Sequence, residues 1–270
     1  MDYVIIGGDE RFSHLARLLS EQGHRVGTLG KSPRRETAAE WRAMLGQAKH
    51  VVVNDPPRFK GAGMTTEEIL AFAGREARVF TCGPLHPHVQ DERLIDLWAD
   101  EALLMDNARL TAEGAVASAM RASSQCLAGM RCMVVGWGRI GRSLTELLVA
   151  LNARVTVASR TPANRLRAAE RGAEAADTSR IGEALPGHGL IFNTAPQLVL
   201  DAAALARADR DAMLIDLASP PYGIDLHAAW ALGLRAWREP GLPGRYCPHS
   251  AAQALLSAIL RHGKEGMERE

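Results

Sequence analysis

What this sequence lacks narrows its class before anything it contains. None of its apolar runs approaches the roughly 20 residues that a membrane-spanning helix requires. No basic-then-apolar leader precedes the strand-like Tyr3-Val4-Ile5-Ile6, so the expectation is a soluble, cytoplasmic protein without a membrane partner. There is no basic block and no aromatic stripe beside one, and the net charge is only +1, so a nucleic-acid partner has no electrostatic footprint. Cysteine is scarce: Cys82, Cys126, Cys132 and Cys247 form no Cys-x-x-Cys pair, and no His-x-x-x-His cluster stands near them. That pattern predicts buried free thiols in a reducing compartment and no metal site.

What is present suits a globular chain with real cores. Apolar residues make up 47% and charged residues 23%, and a length of 270 is comfortable for two α/β domains. Short β-branched runs recur at Tyr3–Ile6, Arg25–Gly27, His50–Val53, Arg78–Thr81, Arg131–Val135, Arg154–Ala158, Leu190–Asn193, Met213–Leu217 and Leu234–Trp237. Amphipathic stretches separate them. Continuous apolar strands alternating with helices predict parallel sheets covered on both faces and joined by right-handed crossovers. Two segments open alike, Val4-Ile5-Ile6-Gly7-Gly8-Asp9 and Val134-Val135-Gly136-Trp137-Gly138. The predicted fold is therefore two Rossmann-like parallel-sheet α/β domains with an interdomain cleft. The expected boundaries are 1–110 for a substrate or partner domain and 111–249 for a dinucleotide-binding domain. A helix from Thr111 to about Leu127 makes the join. A last helix, 250–262, packs back on the first domain, and the charged tail from Gly263 to Glu270 frays.

The strongest motif is Met133-Val134-Val135-Gly136-Trp137-Gly138-Arg139-Ile140-Gly141, a strand running into Gly-x-Gly-x-x-Gly. Gly136 permits the tight turn, Gly138 lets the backbone approach a pyrophosphate, and Gly141 lets the helix lie close to the sheet. The next strand ends in Ser159-Arg160-Thr161, where a protein selective for NAD commonly places an acid for the ribose hydroxyls. A guanidinium at Arg160, with Thr161, Asn164 and Arg165 following, predicts NADP(H) as cofactor. Asn193, Thr194 and Pro196 follow another strand on the same rim, where they either bond the nicotinamide ribose or only cap a turn. Asp216-Leu217-Ala218-Ser219 closes one more.

At this point a family resemblance emerges. Gly7-Gly8-Asp9-x-Arg11, Asn107-Ala108-x-x-Thr111-Ala112-Glu113-Gly114, Val135-Gly136-x-Gly138-Arg139-x-Gly141, Asn193-Thr194-x-Pro196, Asp216-Leu217-Ala218-Ser219 and Gly241-Leu242-Pro243-Gly244 together resemble the family of bacterial dipicolinate synthase A-subunits over most of the chain. The Thr-Ala-Glu-Gly and Gly-Leu-Pro-Gly segments carry the specificity of this match, because the glycine fingerprint is common to many dehydrogenases. Two positions depart from the family pattern: Pro220-Pro221-Tyr222-Gly223 replaces a Pro-Gly-Gly turn, and His249 stands where lysine is expected after Pro248. The resemblance implies an oxidoreductase of sporulation in the mother cell. It would oxidise dihydrodipicolinate, or its hydroxy-tetrahydro precursor, to dipicolinate. The flavoprotein-like B-subunit of dipicolinate synthase would be its partner, and a homo-oligomer is expected.

A small dicarboxylate substrate needs anion donors and a proton acceptor. The candidates for binding it are Arg11, Asn107, Thr111, Ser219, Gly241 and Gly244. The candidates for the proton are Glu113 and Asp216. Ordinary roles compete at several of these positions. Thr111 suits a helix N-cap, Glu113 a first-turn acid that complements the helix dipole, and Gly-Leu-Pro-Gly a plain turn. His86 and His88 form a proline-flanked loop pair. Two other functions remain open on these residues: a shikimate-dehydrogenase-like NADP oxidoreductase, and a non-catalytic NADP-binding regulatory subunit.

Overall fold

The computed structural model describes residues 1–30, 37–54, 65–83 and 89–265. His86 and His88 lie outside the described residues, as does the tail beyond Glu265. In chain order the elements are β1 (Tyr3–Ile6), α1 (Glu10–Glu21), β2 (Val26–Leu29), α2 (Ala38–Gly46), β3 (His50–Asn54), α3 (Thr66–Phe72), β4 (Arg78–Cys82), β5 (Leu94–Asp96) and α4 (Glu101–Ala122). There follow β6 (Arg131–Val135), α5 (Arg139–Ala150), β7 (Arg154–Ala158), α6 (Pro162–Ala169), β8 (Glu174–Ala176), α7 (Ile181–Ala184), β9 (Leu190–Asn193), α8 (Ala202–Leu205), β10 (Met213–Asp216), α9 (Leu226–Ala231), β11 (Arg235–Arg238), α10 (Leu242–Tyr246) and α11 (Pro248–Glu265). Met1–Asn107 with Cys247–Glu270 form one compact unit, and Ala108–Tyr246 form the other.

The first unit holds a five-stranded sheet in the order β2-β1-β3-β4-β5, with every pairing parallel. Alternate residues of its strands face opposite layers. Tyr3 and Ile5 pack with Phe12, Leu15 and Leu19 of α1 and with Leu255 and Ile259 of α11. Val4 and Ile6 pack with Trp41, Leu45, Ile69 and Leu70 from α2 and α3. Asp9 caps α1 by accepting from the backbone N–H of Arg11, while Thr37 with Glu40 and Thr65 with Glu68 form capping boxes on α2 and α3. The end of α11 is held by two contacts. Asp100 takes a bidentate ion pair from Arg261 and a hydrogen bond from His262, and Arg78 donates to the His262 carbonyl at 2.7 Å. This helix starts at Pro248, two residues before the expected Ser250, and continues through Gly263.

The second unit holds six strands in the order β11-β10-β9-β6-β7-β8, again all parallel. This is the doubly wound order, with its topological switch point between β6 and β9. Cys132 and Val134 face the layer built by α4 and α5, and Met133 and Val135 face the layer of α7, α8 and α9. Two strands, β5 and β8, have no counterpart among the expected runs. Each is a three-residue edge strand, and Glu174-Ala175-Ala176 carries no apolar run to signal it.

The expected helix start at Thr111 is corrected. Helix α4 runs unbroken from Glu101, and Asp100 caps it by accepting from the Leu103 N–H at 2.8 Å. Thr111 is a buried mid-helix residue and not an N-cap, and Glu113 stands exposed well beyond the first turn. The stretch Ala102-Leu-Leu-Met-Asp-Asn-Ala-Arg-Leu110 is rich in good helix formers, so nothing in it stops a helix.

Burial accounts for two of the cysteines, pushing the Cys82 and Cys132 thiols up to about 12. Cys126 is exposed and Cys247 half-buried, against the expectation of four buried thiols. No helix among the described residues is long and apolar enough to cross a membrane.

Candidate functional site

Three glycines build the turn after β6, each for a different reason. Gly136 has φ +105°, and a Cβ there would sit 2.5 Å from the Thr194 hydroxyl. A Cβ on Gly141 would meet the Gly136 carbonyl oxygen at 2.3 Å, so only glycine lets α5 lie this close to the turn. Around Gly138, by contrast, nothing comes within 4 Å of a Cβ position. Gly138 is also the N-cap of α5 and provides no side-chain cap. Its open space therefore faces a helix N-terminus whose first amides need acceptors, which fits an anionic pyrophosphate. Arg139 is exposed and Ile140 half-buried. The Trp137 indole packs against the core below, and its N–H is buried without an acceptor among the described residues.

At the end of β7, Ser159 is buried and its N–H donates to Ala176 O at 3.0 Å. Arg160 follows, fully at the surface. Thr161 caps α6 by accepting from the Asn164 N–H. The Arg165 guanidinium donates to the carbonyls of Ser159 (2.8 Å) and Arg160 (2.9 Å) and to the Asp177 carboxylate (2.7 Å). Hydrogen bonds from Ser179, followed by the charge of Arg165, hold the Asp177 carboxyl below the usual range. Thr161 and Arg165 thus shape the loop that carries Arg160.

The ends of β9 and β10 are also committed to architecture. Asn193 is fully buried, with its amide donating to Asp216 Oδ1 (2.7 Å) and Ala195 O (3.0 Å). The Thr194 hydroxyl donates to Val135 O at 2.9 Å. Asp216, 1% exposed, also accepts from the N–H groups of Ala218 (3.2 Å), Gly223 (3.1 Å) and Ile224 (3.1 Å). Four donors therefore occupy a carboxylate that solvent cannot reach. Through these bonds Asp216 orders the 217–224 loop. Asn193 and Thr194 likewise set the rim's shape and offer no side-chain donor to a ribose. Pro196 and Ser219 are exposed beside them.

The two segments specific to the family resemblance meet within the second unit. A Cβ on Gly114 of α4 would touch Leu242 Cβ at 3.0 Å and the Tyr246 ring at 3.4 Å. Gly241, at φ +66°, turns the chain into α10, where Leu242, Pro243 and Gly244 are buried and the Gly244 N–H donates to Gly241 O. The segment is a packed turn opening a short helix. Glu239, absent from the expected site residues, secures it by accepting from Ser118 Oγ (2.7 Å), Trp237 Nε1 (3.0 Å) and Arg245. An Arg-Glu-Pro triplet at a strand end, directly ahead of the Gly-Leu-Pro-Gly turn, was the available signal.

In the first unit, Arg11 forms a bidentate pair with Asp9, at 2.9 Å from Nε and 2.8 Å from Nη2, behind Gly7 and Gly8. Asn107 is half-buried on α4.

Comparison with known proteins places the second unit among nicotinamide-dependent dehydrogenase domains. Residues 103–219 match the family model described as the NAD binding domain of D-isomer specific 2-hydroxyacid dehydrogenases. The chain is 29% identical over 169 residues to the dipicolinate synthase A-subunit of Bacillus subtilis (strain 168), an alignment that spans 63% of this chain and 57% of that relative. The crystal structure of the dipicolinate synthase A-subunit from Bacillus halodurans superposes with a TM-score of 0.80 at 25% identity, covering 96% of each chain. That of the Bacillus subtilis protein gives a TM-score of 0.81 at 22% identity, over 100% of this chain and 98% of the other. Homologue and structural neighbours are thus dipicolinate synthase A-subunits, and together with the dehydrogenase domain they support a nicotinamide-dependent oxidoreductase.

Proposed function

We propose that this chain is an NADP(H)-dependent oxidoreductase that converts dihydrodipicolinate, or its hydroxy-tetrahydro precursor, to dipicolinate. It would act with a flavoprotein-like second subunit in the sporulating mother cell and assemble as a homo-oligomer. The observation that carries the cofactor half is the open helix N-terminus at Gly138, one strand away from a β7 end that holds Ser159 and Arg160 and no acid. The substrate half rests on the names of the A-subunit relatives.

The α5 amides behind Gly138 would take the pyrophosphate, and Arg160 the 2′-phosphate. Bound nicotinamide supplies the hydride acceptor. From the hydroxy-tetrahydro precursor, loss of water first gives the dihydro ring; its oxidation removes one hydride and one proton and leaves the aromatic pyridine, so the protein has to orient a dianion and accept one proton. With Asp216 saturated, Glu113 is the carboxylate assigned to the proton, because it stands exposed on α4. The thin acid–base set also favours a second reading, a cofactor-binding protein that is active only with its partner.

The test is direct. Dihydrodipicolinate generated in situ is supplied with NADP⁺, with and without the second subunit, and dipicolinate is followed by its ultraviolet absorbance. Product in both arms supports an autonomous enzyme, and product only with the partner supports the second reading. No product in either arm, with turnover of shikimate instead, overturns the assignment.

A further inference from the structure

Beyond the dinucleotide loop, the strand-end rim of the second unit carries a further cation at the end of β11. Arg238 ends β11 in register with Asp216, and its guanidinium lies 3.9 Å over the ring of Tyr222. Arg238 is exposed, and no carboxylate among the described residues pairs with it. Glu239, the acid next to it in sequence, is already taken by Ser118, Trp237 and Arg245.

Tyr222 is held in an unusual way. Its φ is +70°, in the left-handed region that residues other than glycine rarely adopt. The loop around it leaves no alternative. The Tyr222 N–H donates to Ser219 O at 3.0 Å. Immediately after Tyr222, the N–H groups of Gly223 and Ile224 are captured by Asp216 Oδ2. Gly223 then passes so close to β9 that a Cβ there would fall 2.2 Å from the Asn193 amide. Buried Asn193 and Asp216 therefore fix the loop that carries Tyr222, and the Tyr222 ring lies against the Arg238 guanidinium.

We propose that Arg238, stacked on Tyr222, is a docking group for a carboxylate of the substrate. The ring lies against the guanidinium carbon, and no hydrogen bond within the described residues occupies its donors, which suit a bidentate carboxylate. Stacking removes side-chain freedom beforehand, so less is lost when the ligand binds. Position agrees with this role. In a doubly wound sheet of this order, the adenosine lies toward β7 and the nicotinamide toward β9 and β10. At a strand spacing of about 4.8 Å, the end of β11 is roughly 10 Å past that of β9. A ring bearing two carboxylates and an extended arginine together span that gap. The proposal deepens the dicarboxylate reading above and rests on it for the identity of the substrate. It gives Asp216 a positioning role, acting through the loop on Arg238.

The experiment is calorimetric titration of the NADPH-loaded protein with dipicolinate and, separately, with glutarate as a simple dicarboxylate. Losing a charge-assisted pair of hydrogen bonds is expected to weaken dicarboxylate binding in Arg238→Met by about 10- to 150-fold. Arg238→Lys should recover part of it, and Tyr222→Leu should weaken binding by a smaller factor. NADPH affinity should change less than about twofold in all three variants, which a general disturbance of the fold would not allow. Unaltered dicarboxylate binding in Arg238→Met overturns the Arg238 assignment and leaves the dipicolinate reading standing. Binding of glutarate but not dipicolinate, lost in Arg238→Met, keeps Arg238 as a carboxylate site and removes the assigned substrate. Wild-type protein that binds neither anion overturns the Arg238 site, and the turnover assay then decides the substrate separately.

Discussion

On the proposed reading, cofactor choice turns on Arg160, which stands at the surface at the end of β7 while Arg165 donates to carbonyls and Asp177. Arg160→Ala should weaken NADPH binding by about 10- to 150-fold, the worth of a hydrogen bond to a charged group, and leave NADH nearly unchanged. Ser159→Asp should reverse the preference by repelling the 2′-phosphate and offering the ribose hydroxyls an acceptor. Fluorescence titration of both cofactors against both variants checks this, and equal losses for NADPH and NADH would remove Arg160 from the site. Two histidines act at the same scale through pH. His50 and His188 both sit below the ordinary histidine value, burial being the main cause in each. The unfolded chain therefore binds their protons first, and stability should fall as pH drops below about 6.5. His50→Phe keeps the ring packing against Tyr3 and Phe80 and removes one proton, so its urea midpoint should fall less between pH 7.5 and 5.5 than that of the wild type. The glycines of the dinucleotide loop were legible in the sequence because their backbone demands are local. The mutual hydrogen bond of Asp216 and Asn193, both candidates from the sequence, was not, because it joins strand ends 23 residues apart.

Elements were legible where periodicity and caps agreed. Helix α5 and the longer strands follow from apolar runs and glycine stops, with ends shifted by a residue or two at β2 and β11. Helix α4 misleads because a threonine followed two residues later by an acid imitates a helix start, and only the folded chain shows that the helix is continuous. Gly114 reveals what this stretch does: it admits Leu242. Gly114→Val should destabilise the second unit by about 1–3 kcal/mol through overpacking against α10, despite valine's better helix propensity. A lower urea midpoint is the expected result, and an unchanged one would mean that Leu242 moves freely aside. In the first unit, Asp100→Ala removes the acceptor of Arg261 and His262 and should cost about 1.5–3 kcal/mol, read as earlier proteolysis of α11.

At the scale of the whole molecule, alternation of strand and helix announced two parallel sheets, because a parallel pair needs a crossover and the crossovers are helical. The strand orders were not legible, since which strand lies beside β1 or β6 depends on contacts distant in sequence. The second sheet's order matters most for function, because its switch point sets the Gly136–Gly141 turn beside Thr194 and opens the space at Gly138. The central claim is that this space holds the cofactor's pyrophosphate, and one substitution isolates it. With φ −77° and no neighbour within 4 Å, Gly138 can be replaced by valine at little cost to the fold, while the added methyls fill the anion's approach to α5. The measurement is NADPH affinity of Gly138→Val against wild type, with thermal unfolding of both. The account predicts melting within a few degrees of wild type and NADPH binding weakened at least about 100-fold, the loss of several amide–phosphate hydrogen bonds. Wild-type NADPH affinity in a folded Gly138→Val protein would contradict it.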